Sequence, residues 1–302
     1  MMSLVPIAAS LPSGHEFATA LVTGVLLGGL FAITALGLSL VFGVMRLINL
    51  VHGELLVLGA YLALELTKHA GMDTLVTIVV VAPALFVLAA PVYRALLEPI
   101  VQKGPEPALL TTFGLSVIAQ NLYILLWSGD TQSLPGSYTA SSIDVLGLGI
   151  PTMYAISFGL AVVICGAVHL LLQRTGLGRE IRASSEDPQA ASVLGVDVRK
   201  VHTFVYGLAA ACAAVGGVLV GATFEFTPTA GLTYLLTGFV VVVLGGLGSV
   251  KGTLLGAILL GVVESVGASI FGDGYRDFIG FVAFLIVLSV RPQGLFGRAT
   301  TA

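Results

Sequence analysis

Nine predominantly apolar runs, each on the order of the 20 residues a helix needs to cross a bilayer, follow one another along the chain. They are Phe17 to Val44, Leu47 to Leu66, Leu75 to Tyr93, Ala108 to Trp127, Met153 to Leu172, Val201 to Phe224, Tyr234 to Val250, Thr253 to Phe271 and Asp277 to Val290. The second, seventh and ninth are the weakest. Composition agrees: 57% of residues are hydrophobic, 10% are charged and the mean hydropathy is +1.04, more than a water-exposed surface tolerates. The expected fold is all-α, a polytopic membrane helical bundle of eight or nine transmembrane helices, with residues 1–302 forming one transmembrane domain. Eight applies if Leu47 to Leu66 or the Tyr234 to Phe271 region holds a broken or re-entrant segment, which membranes tolerate only beside protein or a water-filled cavity. A formal net charge of −3, scattered over short loops, offers nucleic acid no basic field.

Charge orients the runs, because basic residues near span ends favour the cytoplasmic side. Residues 94–107 carry Arg94 and Lys103, and the polar stretch 174–200 carries Arg174, Arg179, Arg182, Arg199 and Lys200. The tail carries Arg291 and Arg298, whereas residues 128–152 carry Asp130 and Asp144 and no basic residue. Nine crossings with the N-terminus outside and the C-terminus cytoplasmic put all three basic segments in the cytoplasm, at the cost of Lys68 facing out. The first sixteen residues lack Lys and Arg, and Phe17 to Val44 is too long for a signal core, so the N-terminus is expected to be retained.

Glycines recur every four residues at Gly24 and Gly28, at Gly217 and Gly221, and at Gly248, Gly252 and Gly256. That spacing lets helix backbones approach closely, first of all within one subunit and otherwise between subunits. No catalytic set is present. In LGGLGSVKGT (Leu244 to Thr253) Lys251 precedes Gly252, the wrong order for a phosphate loop, so the chain is not expected to hydrolyse ATP. Cys165 and Cys212 lie inside apolar runs at no metal or redox spacing. His52 and Glu54 are two residues apart, which on a helix turns them about 200° from each other, unlike a zinc-binding pair at i and i+4.

Asn49, His52 and Glu54 still stand out, because a charge at mid-bilayer costs about 2.5 to 3.5 kcal/mol on insertion scales. They are either shallow groups near the interface after Arg46, or a hinge or lining of a transport path. Glu225 reads as interfacial, and Glu264, inside its run, as the better inward-facing polar site. VHGELL at Val51 recurs as VKGTLL at Val250, a short echo of the kind duplicated transporter halves leave.

Four blocks carry a resemblance: GLSLVFGVMRLINLVHGELLVLGAY, GREIRASSEDPQAASVLGVDVRKV, VVVLGGLGSVKGTLLGAILLGVVE and VRPQGLF. Running in order from about Gly37 to Phe296, they resemble the LivH-type branched-chain amino-acid ABC permeases. The resemblance implies a multi-pass permease subunit of a bacterial importer in the cytoplasmic (inner) membrane, not itself an enzyme. It implies as partners a second permease (LivM-like) or a second copy, two ATP-binding subunits (LivG- and LivF-like) that hold ATP and Mg, and an extracytoplasmic substrate-binding protein, with no cofactor on this chain. ABC importer permeases carry a cytoplasmic Glu-Ala-Ala, three residues, then Gly; here Gln189, Ala190 and Ala191 precede Gly195 at that spacing, with glutamine for the leading acid.

Residues 174–200 are therefore expected to be a cytoplasmic coupling loop. Asp187 suits an N-cap, Pro188 a first helical turn, Gln189 to Leu194 a short helix and Gly195 its end. Small Ala190 and Ala191 would let that helix sit in a groove of an ATPase, with Arg182 and Glu186 at the rim. The implied mechanism is alternating access driven by ATP binding and reset by hydrolysis. Urea, short amides or another small polar solute are alternative cargoes. A gradient-driven transporter or channel using Glu54 and Glu264 as ion sites is the more distant rival, and an intramembrane enzyme using His52 and Glu54 lacks a nucleophile.

Overall fold

The computed structural model describes residues 13–101, 103–136, 138–139, 141–145, 147–291 and 294–295. Arg298 and the Pro292, Gln293 and Phe296 of the terminal motif lie outside the described residues. Each apolar run is occupied by a helix, but not always over the expected bounds. The order is α1 (Gly14–Met45), α2 (His52–Ala70), α3 (Ile78–Val92), a π turn (Tyr93–Leu97), α4 (Glu98–Val101) and α5 (Pro105–Trp127). A hairpin, β1 (Ser142–Val145) and β2 (Leu148–Pro151), precedes α6 (Thr152–Arg174), α7 (Gly176–Glu186) and α8 (Pro188–Val193). Then come α9 (Val198–Thr223), α10 (Gly231–Gly245), α11 (Val250–Phe271) and α12 (Arg276–Val290). Among the described residues six helices are long and apolar enough to cross a membrane: α1, the continuous rod Ile78–Val101, α5, α6, α9 and α11.

The six divide sharply by what surrounds them. In their most apolar stretches α1 is 78% and α9 83% buried within the protein, against 11% for α5 and 22% for α6. Glycine explains how α1 fits at the centre: a methyl group at Gly24 would sit 2.7 Å from Cα of Val262, and one at Gly28 would sit 2.5 Å from Cα of Ile258, both on α11. Gly217 of α9 lies in the same way against the Leu56 carbonyl of α2, and Gly248 against Gly43. The four-residue glycine spacing thus serves packing inside this subunit. The outer helices turn Val79, Leu110, Leu125, Val163 and Val290 outward, as helices do where lipid or another apolar surface is the solvent.

The bundle has two chemically different ends. At one, His15 Nε2 lies 3.0 Å from the Gly147 carbonyl of the hairpin, and the Leu134 N–H donates to the Gly221 carbonyl near the end of α9 (2.8 Å). The other holds α7, α8, the end of α1 and the start of α9. Among the described Lys and Arg residues only Lys68, bonded to Gln132 (3.2 Å), and Arg276, bonded to Asp273 (2.9 Å), stand at the hairpin end.

Two of the weak runs form helices that begin inside the bundle rather than at one of its ends. Arg46 takes a left-handed conformation (φ 51°), closes α1 through its N–H to the Phe42 carbonyl, and reverses the chain. Residues 46–51 then return along α1 without forming a helix, so the expected span Leu47 to Leu66 begins instead at His52. His52 Nε2 lies 2.9 Å from the Thr34 carbonyl. At 1.5 Å per residue, Thr34 is about 16 Å back from the end of α1, so α2 starts at half depth and runs to the hairpin end. After α9, residues 224–230 turn back, Phe226 pairing with Gln132 on the way, and α10 starts at Gly231 against Gly53 and Glu54. It runs to the opposite end and stops at Gly245, five residues before the expected Val250. Non-helical backbone at this depth is tolerated because protein surrounds it. The VHGELL echo marks no equivalent places: Val51 caps a helix at half depth, and Val250 starts one at the bundle's end. The paired paths are α1–α2 and α9–α10, which run in opposite senses.

Candidate functional site

At the basic end, α7 and α8 form an arm outside the helical bundle. The sequence reason is local: the Asp187 carboxylate accepts from the N–H groups of Gln189 (2.9 Å) and Ala190 (3.0 Å), Pro188 occupies the first turn, and Gly195 (φ 89°) ends the segment in a conformation that favours glycine. Asp197 then caps α9, and hydrogen bonding to Lys200, together with its ammonium 2.9 Å away, holds the Asp197 carboxyl below the usual carboxylate range. One expected role is corrected. Ala191 does not face outward with Ala190 but is buried beneath α8. Arg182 is exposed, and its guanidinium lies at the Leu172 carbonyl in the last turn of α6, where the helix dipole favours a cation. Glu186, Gln189 and Ala190 are exposed, and the outward apolar groups are Val193 and Leu194, 86% and 82% exposed. Sequence reading missed this pair; two adjacent aliphatic residues in the polar stretch 174–200 were the available signal.

Where α2 and α10 meet, Asn49, His52 and Glu54 are all buried. Since a carbonyl only accepts, the His52 Nε2–H donates to Thr34 O. The Glu54 Oε1 accepts from the Ser116 hydroxyl of α5 (3.1 Å), and the Tyr123 hydroxyl donates to the Glu54 backbone carbonyl (3.0 Å). The carboxylate lies against Gly231, the first residue of α10, where a side chain at 231 would meet Oε1 at 2.5 Å. It therefore sits in the first turn of one helix and at the start of another, two positions where the helix dipole favours negative charge. The Asn49 side chain has no hydrogen-bond partner among the described residues, while its backbone carbonyl accepts from the His52 N–H (3.2 Å).

Glu264 does not join this cluster. It projects from α11 towards α12, 5% exposed, with Gly280 leaving room for its carboxylate. Two adjoining cavities of about 180 and 190 Å³ share Thr233, Thr237, Glu264 and Asp277 as walls, and the second reaches Thr34 at half depth. Asp277, at the start of α12, lines both, and Arg276 beside it lines the second. Glu225 is exposed, as expected of an interfacial residue. Among the described residues no group of three His, Cys, Asp or Glu side chains is arranged to hold a metal.

A family model described as branched-chain amino acid transport system / permease component matches residues 20–288. The chain belongs to this family. It is 29% identical over 301 residues to the high-affinity branched-chain amino acid transport system permease protein BraD of Pseudomonas aeruginosa, covering 95% of this chain and 98% of that one. It is 30% identical over 289 residues to the permease protein LivH of Salmonella typhimurium, covering 91% and 94%. A more distant relative, the ribose import permease protein RbsC of Escherichia coli, is 28% identical over 268 residues, covering 86% and 81%. No solved structure matches the chain. As a family member it is a multi-pass membrane protein and a transport component.

Proposed function

We propose that this chain is the membrane-spanning subunit of an ATP-driven importer that moves leucine, isoleucine and valine, handed over by an extracytoplasmic binding protein, through the bacterial cytoplasmic membrane. The hairpin end faces outward with the N-terminus, and the α7–α8 arm faces the cytoplasm with the C-terminus. What supports this orientation is the charge asymmetry of the ends, cationic around the arm and nearly free of Lys and Arg around the hairpin. In this topology α2 and α10 meet inside the membrane, so that together they count as less than two full crossings.

The observation that carries the function is the arm itself. Val193 and Leu194, exposed on a short capped helix at the cytoplasmic end, suit an apolar groove on an ATPase, with Glu186 and Gln189 at its margin. Closure of two ATPases around ATP and Mg then moves the arm, and the permease pair opens outward. The coupling demands that the closed ATPases bind one permease state better than the other. The pair is this chain with a second permease or a second copy.

The test is reconstitution of the chain with its ATPases and binding protein in liposomes, followed by ATP-dependent uptake of labelled leucine and of urea. Leucine accumulation is expected, and uptake of urea alone would replace the cargo but keep the class. Val193→Asp with Leu194→Asp should abolish co-purification of the ATPases; the same holds in part for Gly195→Trp. Full ATPase association by the double variant would remove the arm from the coupling role.

A further inference from the structure

We propose that Glu264, with the hydroxyl-bearing face of α10 at Thr233 and Thr237, forms a transit site in this permease for the α-ammonium group of an aliphatic amino acid. This rests on the proposed cargo. Glu264 is nineteen-twentieths buried, has no hydrogen-bond partner among the described residues, and forms a wall of both cavities. A carboxylate taken from water and given no partner is costly in an apolar bundle, and a cation in the cavity removes that cost. The charges around the cavity favour a cation. Asp277 lines both cavities; Arg276 lines the second, where it is paired with Asp273 at 2.9 Å, so that among the described lining residues two carboxylates face one base.

The remaining wall completes the chemistry of the ligand. Leu30, Phe31, Val240 and Leu260 give an aliphatic side chain an apolar surface beside the charged one. An ammonium gains a charge attraction from a buried carboxylate that the neutral N–H or O–H donors of urea or a sugar do not, so the site favours an amino acid over the neutral cargoes. Gly280 is part of the device: a methyl group there would meet Glu264 Oε1 at 2.5 Å, so that only glycine leaves the carboxylate free to face the cavity.

The experiment uses the complete reconstituted complex carrying Thr237→Cys, a half-buried position in the wall, with the buried Cys165 and Cys212 left in place. Labelling by 2-aminoethyl methanethiosulfonate, which carries an ammonium, is compared with labelling by the neutral methyl methanethiosulfonate, each with and without leucine. The ammonium reagent should react at least about tenfold faster after correction for intrinsic reactivity, as expected of a charged hydrogen bond. Glu264→Gln should erase the difference, and leucine should slow it. In the complex without the added cysteine, Glu264→Gln should lower leucine uptake about tenfold while still co-purifying with its ATPases, and Gly280→Ala should lower it to a smaller extent. Equal labelling by both reagents, or wild-type leucine uptake by Glu264→Gln, overturns the site. If the wild-type complex takes up no leucine, the proposed cargo and the amino-acid identity of the ligand fall together, and the labelling ratio still decides whether Glu264 holds a cation.

Discussion

Glu54 and Glu264 are both carboxylates on helices inside the bundle, 2% and 5% exposed, yet their surroundings differ in kind. Glu54 lies in the first turn of α2, with a hydroxyl donor from Ser116 and the start of α10 at its side. Glu264 lies in the body of α11, with a cavity in place of a partner. The difference teaches that burial alone does not classify an intramembrane acid. What matters is where its charge finds compensation: for Glu54 in a hydroxyl on Oε1 and two helix starts, although its Oε2 is buried without a partner, and for Glu264 in a visiting ligand.

The strongest way to break this contrast is Gly231→Leu, which drives a side chain into the space of the Glu54 carboxylate. Overpacking of this kind should cost about 3 kcal/mol, read as a fall in the thermal midpoint of the detergent-purified complex. Gly166→Leu on α6, where nothing lies within 4 Å, is the control and should change little; equal losses would mean that the junction of α2 and α10 is not tightly packed.

Next in size is Glu54→Ala against Glu264→Ala. Removing Glu54 strands the Ser116 hydroxyl and should cost about 1 to 3 kcal/mol, whereas removing Glu264 strands nothing and should leave the midpoint unchanged or higher. Matching midpoints in the two variants would place both acids in the same class. The smallest effect is expected from Ser116→Ala, about 1 kcal/mol for the lost bond to Glu54. Thermal denaturation of that variant with and without Glu54→Ala measures the coupling, and additive losses would show that the hydrogen bond contributes nothing.

Much of this was legible in the residues. The long runs became α1, α9 and α11 within a few positions, because a bilayer demands about 20 apolar residues per crossing and little else satisfies that demand. The arm was legible too, since Asp187, Pro188 and Gly195 act through bonds and dihedrals that depend on their immediate neighbours. The facing of α8 was not: Ala190 and Ala191 are the same residue type, and only packing against the bundle decides that Ala191 turns inward. Val193 and Leu194 were passed over because an aliphatic residue on an arm looks like an inward anchor until its exposure is seen. Among Asn49, His52, Glu54 and Glu264, shared polarity suggested one path, but helix position separates the first three from the fourth.

Chain order and residue type were enough to establish a polytopic helical bundle with one basic polar excursion, because hydropathy and charge act on each segment singly. Only the tertiary structure decided that α2 and α10 begin at half depth and meet nose to nose, and that a cavity opens beside Glu264. Depth and vacancy are properties of what surrounds a segment: the glycine contacts of α1 with α11 and of α9 with α2 set how closely the helices approach, and those contacts join residues far apart in the chain.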